Sequence, residues 1–336
     1  MNINDFPSVE ELMAMWQDSG CLLGNIYDAT HPNASQGDDI SEKEGFSPFE
    51  ELMSMTGLDE VKCEINRQLS FHRIMTLREK SGKRTPKRLL NMLLIGNPGT
   101  GKTTCARLIG QIYQEAGILS TGQFVEVSRA TLVGEYIGHS EKRVSDKIEE
   151  AKGGILFIDE IYSLADDGGV NNGKNDFGHN VIDTLMPVLS DPNSGLIVIG
   201  AGYPDEMGRF LRANSGLASR FPVVLGLNDF SLDELMNIAH SNIRRYDFII
   251  APEAETKLRE LIKSASRNKN FGNARFVVTL IENHVIPNLC MRLDRIANIA
   301  PDSDLLSTIV ANDIPDIYAI SPLNESNRKC IGFGLS

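Results

Sequence analysis

Residues 96–103 read GNPGTGKT. This octet constrains the fold more than any other stretch, because of its pattern and because of its flanks. It fits GxxxxGK[ST], the loop whose backbone N–H groups curl round phosphate oxygens. Before it runs RLLNMLLIG (88–96), apolar nearly throughout, as a strand covered on both faces by helices must be. After it, 102–116 carries apolar residues at helical spacing, so a helix N-terminus adds positive potential at the loop. Lys102 is then placed to reach β- and γ-phosphates and Thr103 to ligate Mg²⁺, with Asn97, Pro98, Gly99, Thr100, Gly101 and Thr104 completing the cradle. A chance match is on the order of one in a hundred for ordinary composition, and the flanking strand and helix lower it further. The competing reading is a glycine-rich turn without a ligand.

The pattern continues as alternating strands and helices. Strands are expected at 123–127, 154–159, 195–201 and 221–227, and helices at 58–80, 102–116, 140–152, 178–190 and 204–213. Such alternation predicts an α/β fold with a parallel sheet. Beyond about residue 230 the spacing is helical almost throughout, which predicts a small α-helical domain. The domain reading is therefore an acidic N-terminal segment and linker over 1–46, an α/β core over 47–228, a helical domain over 229–296 and a C-terminal extension over 297–336. Within the first segment Val9, Leu12, Met13 and Trp16 predict a short amphipathic helix near 8–19, and 31–45 reads as a linker.

GILFIDE (154–160) is an apolar strand ending in two acids about 55 residues after the phosphate loop. Asp159 is delivered to the carboxyl end of the sheet, where ligands bind in open α/β folds, and would hold Mg²⁺. Glu160 would polarise an attacking water. Alone, the same pattern is an ordinary strand with an acidic turn. Arg220 in NSGLASRF (214–221) reads locally as a surface charge, or as an arginine aimed at a neighbouring subunit's phosphate site. Arg275 in GNARF (272–276) opens a helix, where a cation is mildly unfavourable unless an anion lies nearby. LVGEYIGHS (132–140) places Tyr136 and Ile137 between glycines, which is loose for a core.

Composition narrows the function classes. A net charge of −12 argues against a general nucleic-acid coat but leaves a local basic patch open. No apolar run approaches the roughly 18–20 residues that span a bilayer. The N-terminus lacks a basic region followed by an apolar stretch, and the five scattered cysteines suit reduced thiols, so the expected location is the cytoplasm. The six histidines form no HxxxH or HxH pair, so no zinc site is expected.

Together these residues resemble the AAA+ ATPases. Within them the chain is similar to the group containing the CbbX-type activase of red-type Rubisco and the stage V sporulation protein K family. The resemblance runs from about 48 to 295, through GLDEVK (57–62), GNPGTGKTT (96–104), LVGEYIGHS (132–140), GGILFIDEIYSL (153–164), NDFGHNVIDTL (175–185), AGYPDEM (201–207), SGLASRF (215–221) and FGNARF (271–276). It implies a five-stranded parallel P-loop core followed by a helical lid, binding ATP and Mg²⁺ and assembled as a hexameric ring. Gly57 and Leu58 then lie where the family cups the adenine. Lys102, Thr103, Asp159 and Glu160 keep the roles given above. Arg220 becomes the arginine finger acting in trans, and Arg275 the lid's sensor arginine. Tyr136 becomes the pore-loop aromatic that grips a protein substrate in the axial channel; the bland alternative packs it on the core. The chain departs from the family pattern at Asn214-Ser215-Gly216-Leu217, at Gly178-His179-Asn180-Val181-Ile182 and at Val278. At the family's first-sensor position the nearest candidate is Tyr203.

Three functions compete. One is an Mg²⁺-dependent ATPase that remodels a protein substrate through the ring's pore. Another is a nucleotide-gated scaffold that recruits partners through the acidic segment with slow hydrolysis. The third, a DNA-acting AAA+ protein, is disfavoured by the acidic balance and the aromatic loop.

Overall fold

The structure is a computed structural model, and it describes residues 47–133, 139–165, 177–213, 215–268, 271–296 and 304–316. The helix expected near 8–19, the linker over 31–45, and Tyr136 and Ile137 lie outside the described residues. The chain divides into two compact units at Asn228/Asp229, with Pro98–Thr100 grouped with the second.

The first unit is built on five parallel strands: β1 (Met92–Gly96), β2 (Phe124–Val127), β3 (Ile155–Ile158), β4 (Ile197–Gly202) and β5 (Val223–Leu227), in the order β2-β3-β4-β1-β5. Alternate residues of each strand face opposite layers. Leu93 and Ile95 join Val125, Leu156, Ile158 and Val198 on one face, whereas Met92 and Leu94 join Phe157, Ile199 and Leu225 on the other. Helices α1 (Pro48–Ser54), α2 (Asp59–Lys80) and α3 (Lys102–Glu115) supply Leu52, Val61, Ile65, Ile109 and Tyr113 to the second face. The first is covered from α5 (His139–Glu150), α6 (Phe177–Ser190) and α7 (Pro204–Ala213), after the single-turn α4 (Arg129–Leu132). Burial on both faces is why every residue of β1, β3 and β4 is buried and the strands read as apolar runs.

Strand order positions the site. β1 leads through α3 to β2 at one edge. Its neighbour β4 leads through α7 and α8 (Ser215–Ala218) to β5 on the far side of β1. Connections that leave adjacent strands in opposite directions open a crevice at their carboxyl ends.

The second unit is helical, with α9 (Leu232–Arg245), α10 (Pro252–Ala265), α11 (Asn273–Leu280) and α12 (Ile286–Asp294) around Leu235, Ala239, Leu258, Ile262, Val277, Ile281 and Leu289. Ser231 and Glu234 form a capping box that starts α9. A π-helical turn, Ile281–Val285, joins α11 to α12 just before Pro287, whose ring would crowd a regular helical turn and which has no N–H to donate. β6 (Ile249–Ile250) pairs in parallel with β7 (Thr308–Ile309). Asp313, 1% exposed, accepts from Arg292 through both carboxylate oxygens at 2.9 and 3.0 Å, so this buried charge is paired. No helix among the described residues is long and apolar enough to cross a membrane. Among the described residues, Cys105, which is buried, and Cys290, which is exposed, are free thiols.

The first strand is shorter than the apolar run 88–96 predicts, because Asn91 stands in for the ladder. Its side chain is buried. It donates to Leu189 O and Arg220 O, each at 3.0 Å, and accepts from Val198 N at 3.0 Å. One amide thus ties the end of α6, the approach to β5 and the start of β4. Asn91→Ala should lower stability by roughly 2–5 kcal/mol, since it strands three backbone groups, two buried and one partly buried. Urea unfolding measures this; a loss under about 0.5 kcal/mol, as for an ordinary surface site, would contradict it.

Candidate active site

The loop between β1 and α3 needs its glycines. Gly99 and Gly101 have φ of 73° and 95°, a region that side chains with a Cβ rarely adopt. Gly101 is the N-cap of α3 and makes no side-chain cap hydrogen bond of its own, an N-terminus of the kind that suits an anion. Lys102 Nζ donates to Gly96 O at 2.7 Å and Asn97 O at 2.8 Å, and lies 5.1 Å from the centroid of the Tyr203 ring. These carbonyls hold its ammonium at the end of β1. Thr100 is buried, Thr103 half-buried and Thr104 exposed, all three at the start of α3 or just before it.

Asp159 and Glu160 follow β3. Asp159 N bonds Val127 O at 2.9 Å, the last rung to β2, and Glu160 then turns away with φ 49°. The turn is held by Glu160 N donating to Asp159 Oδ1 at 3.0 Å and Ser163 N donating to Glu160 O at 2.8 Å. A left-handed glutamate costs about 1–3 kcal/mol and persists only where its surroundings enforce it. The acids line a cavity of about 600 Å³ with Ser128, Arg129, Ala130, Val133 and Ser163, and the Arg129 guanidinium donates to Ser163 O across it.

β4 delivers Tyr203 between these two groups. Its ring is 6.0 Å from that of Tyr162, which directly follows Ile161 after the acid pair. Burial foremost, then Glu160, Tyr203, Glu206 and Asp159, pushes the Tyr162 phenol well above its usual range, so it stays a proton donor beside the acids. The close approach requires Gly202: a Cβ there would meet Met207 Sδ at 2.6 Å and the Tyr162 ring at 2.8 Å. Tyr162, Arg129 and the Tyr203–Lys102 contact went unassigned in the sequence; the only signal was Tyr162 in GGILFIDEIYSL.

The remaining residues are set as follows. Gly57 and Leu58 are both left-handed, at φ 66° and 65°, and Leu58 caps α2, which Glu60 fastens to Gly226 N at 3.0 Å. Arg220 follows α8; its Nε donates to Ser190 Oγ at 2.7 Å, its Nη1 donates to Gly216 O, and its carbonyl is the one Asn91 holds. Arg275 is exposed in the first turn of α11, two residues after Asn273, itself at φ 46°. For a metal, the Thr103 hydroxyl and Asp159 carboxylate are hard oxygen donors. No group of three or more His, Cys, Asp or Glu able to hold a metal occurs among the described residues. That donor set suits Mg²⁺, which is usually held by one or two carboxylates together with substrate phosphates.

Residues 92–228 match the model of the ATPase family associated with various cellular activities (AAA), and 231–323 that of the AAA lid domain. Stage V sporulation protein K of Bacillus subtilis (strain 168) is 42% identical over 238 residues, covering 70% of this chain and 72% of that protein. Protein CfxQ of Xanthobacter flavus is 35% identical over 261 residues, covering 77% and 80%. The FIGL-1 AAA domain structure matches with a TM-score of 0.53 at 19% identity, over 78% of this chain and 80% of that one, a likeness of fold. At this identity and coverage the chain belongs to the AAA ATPases, in the group of stage V sporulation protein K and CfxQ, and is an ATP hydrolase.

Proposed function

We propose that the chain is an Mg²⁺-dependent ATPase that works as a cytoplasmic hexameric ring and remodels a protein substrate through an axial pore. The observation that carries the reading is the convergence of Lys102 and the Asp159–Glu160 pair at the carboxyl ends of β1 and β3, with Tyr203, which follows β4, between them. The loop amides and Lys102 bind the β- and γ-phosphates of ATP, Lys102 leaving Gly96 O and Asn97 O to do so. Thr103 and Asp159 would hold Mg²⁺, which would supply positive charge to the phosphate oxygens. Glu160 takes a proton from water as the water oxygen bonds to the γ-phosphorus and the bond to ADP breaks. Gly57 and Leu58 receive the adenine, and Arg275 reads the γ-phosphate from the lid.

Arg220 acts in trans. Among the described residues the guanidinium is braced by Ser190 and Gly216 rather than by a carboxylate, which leaves its charge available to a neighbour's γ-phosphate. Glu160→Gln and Arg220→Ala should each bind ATP and each lose about 10²-fold or more in turnover. Mixed rings of the two should recover part of the activity, because some interfaces then carry both intact groups. Turnover of Glu160→Gln within about threefold of wild type would remove it as the base. Absence of rescue in rings shown to mix would place Arg220 in cis or on the surface.

Tyr136 grips the substrate, with Ile137 beside it. Tyr136→Ala should leave ATP binding and assembly near normal while abolishing substrate remodelling, and Tyr136→Phe should keep most function, since the grip uses the ring's apolar body. A scaffold would tolerate the alanine in partner recruitment. A thermal melt beside the remodelling assay decides the structural alternative: a loss of roughly 3–5 kcal/mol, as for a core aromatic, would return Tyr136 to the core.

A further inference from the structure

Helix α2 outruns the body it packs on. Its buried residues, Val61, Glu64, Ile65 and Gln68, all fall in its first half, and from 69 to Lys80 none is buried. On the second half Ile74 and Leu77, neighbours one turn apart, are 45% and 54% exposed. The helix end and the loop after it carry a concentration of positive charge. Residues 78–88 hold Arg78, Lys80, Lys83, Arg84, Lys87 and Arg88 against the single acid Glu79, in a chain whose net charge is −12. Three of these charges are engaged locally: Glu79 accepts from Thr85, Lys87 donates to Asn193, and Arg88 lies 4.7 Å from the centroid of the Phe71 ring. Arg78, Lys80, Lys83 and Arg84 make no ion pair among the described residues. An exposed aliphatic pair and four uncompensated cations therefore lie side by side.

The chain contains a segment of matching chemistry. Residues 1–46 hold nine acids against one lysine, and SVEELMAMWQDS (8–19) combines Glu10, Glu11 and Asp18 with Val9, Leu12, Met13 and Trp16 at helical spacing. We infer that residues 8–19 dock along the second half of α2 in the same chain, with the apolar stripe on Ile74 and Leu77 and the acids facing Arg78, Lys80, Lys83 and Arg84. A polyanion would satisfy the cations and leave the aliphatic pair in water; a purely apolar partner would do the reverse. The segment answers both. Reach does not limit it: residues 20–46 extend to about 90 Å, against about 33 Å for the whole of α2. At physiological salt the charges orient the segment more than they hold it, and the apolar contact supplies most of the affinity.

Trp16 is the chain's single tryptophan, so its fluorescence in the full-length protein reports on this segment alone. The emission should lie to shorter wavelength than that of the peptide 1–30, with less quenching by acrylamide. Ile74→Ser with Leu77→Ser should move both readings to the peptide's values while far-UV circular dichroism and the melting temperature stay unchanged. Reversing Arg78, Lys80, Lys83 and Arg84 to Glu should shift the emission the same way, and adding Glu10→Lys, Glu11→Lys and Asp18→Lys should restore it. Wild-type emission equal to the peptide's would overturn the docking, as would emission insensitive to both sets of α2 substitutions. A shift that vanishes on dilution to monomer would place the segment on another copy and overturn docking within one chain. Unmoved emission together with polyanion binding lost on charge reversal would assign the patch to that partner instead.

Discussion

Everything at the site depends on one electrostatic requirement. A polyphosphate needs several N–H donors converging on one point, and a helix N-terminus at the end of a rigid strand is the arrangement of backbone that supplies them. For Gly101 to cap α3 without a side chain, and for Gly99 to take its left-handed turn, β1 has to be fixed. A strand paired on both sides and buried on both faces is fixed. The apolar run of β1, the helices on each face of the sheet and the crevice beside β4 are consequences of that need. Lys102 then adds a positive charge at the end of β1, with Gly96 O and Asn97 O among its acceptors, and in the proposed function it turns to phosphate oxygens.

Backbone strain is confined in an informative way. Among the described residues, Leu58, Glu160, Asp247 and Asn273 are the non-glycine positions with left-handed φ. Asp247 closes the turn after α9. The other three sit at the proposed adenine loop, at the proposed base and two residues before the proposed lid arginine. Sequences break local rules where a side chain must be aimed, and the surrounding hydrogen bonds enforce the break. At Glu160 that enforcement is visible as the bonds to Asp159 Oδ1 and from Ser163 N.

The layers of the fold were legible because burial on two faces writes apolar strands, and one-sided burial writes helical spacing. Strand ends were not: Leu89 and Leu90 continue the apolar run before β1, yet Asn91 takes over the ladder bonds with its side chain. β6 and β7, two residues each, are too short for any period to register. At the candidate site, the proposed phosphate loop and acid pair stand out in the sequence because the chemistry proposed for them requires fixed spacings in the chain. The Tyr203–Lys102 and Tyr162–Tyr203 contacts could not, because they arise from strand order, which places β4 beside β1 only in three dimensions. Arg220 was ambiguous locally, and only kinship set its reading. Its bracing by Ser190, thirty residues away, has no sequence signature.

The central claim is that Lys102 exchanges its carbonyl partners for nucleotide phosphates. Equilibrium titration of labelled ATP against wild type and Lys102→Ala, with circular dichroism confirming the fold of both, tests it directly. A charge-assisted contact of about 1.5–3 kcal/mol predicts affinity weakened roughly 10- to 100-fold. Equal affinity in the two proteins would contradict the phosphate-cradle account of this site.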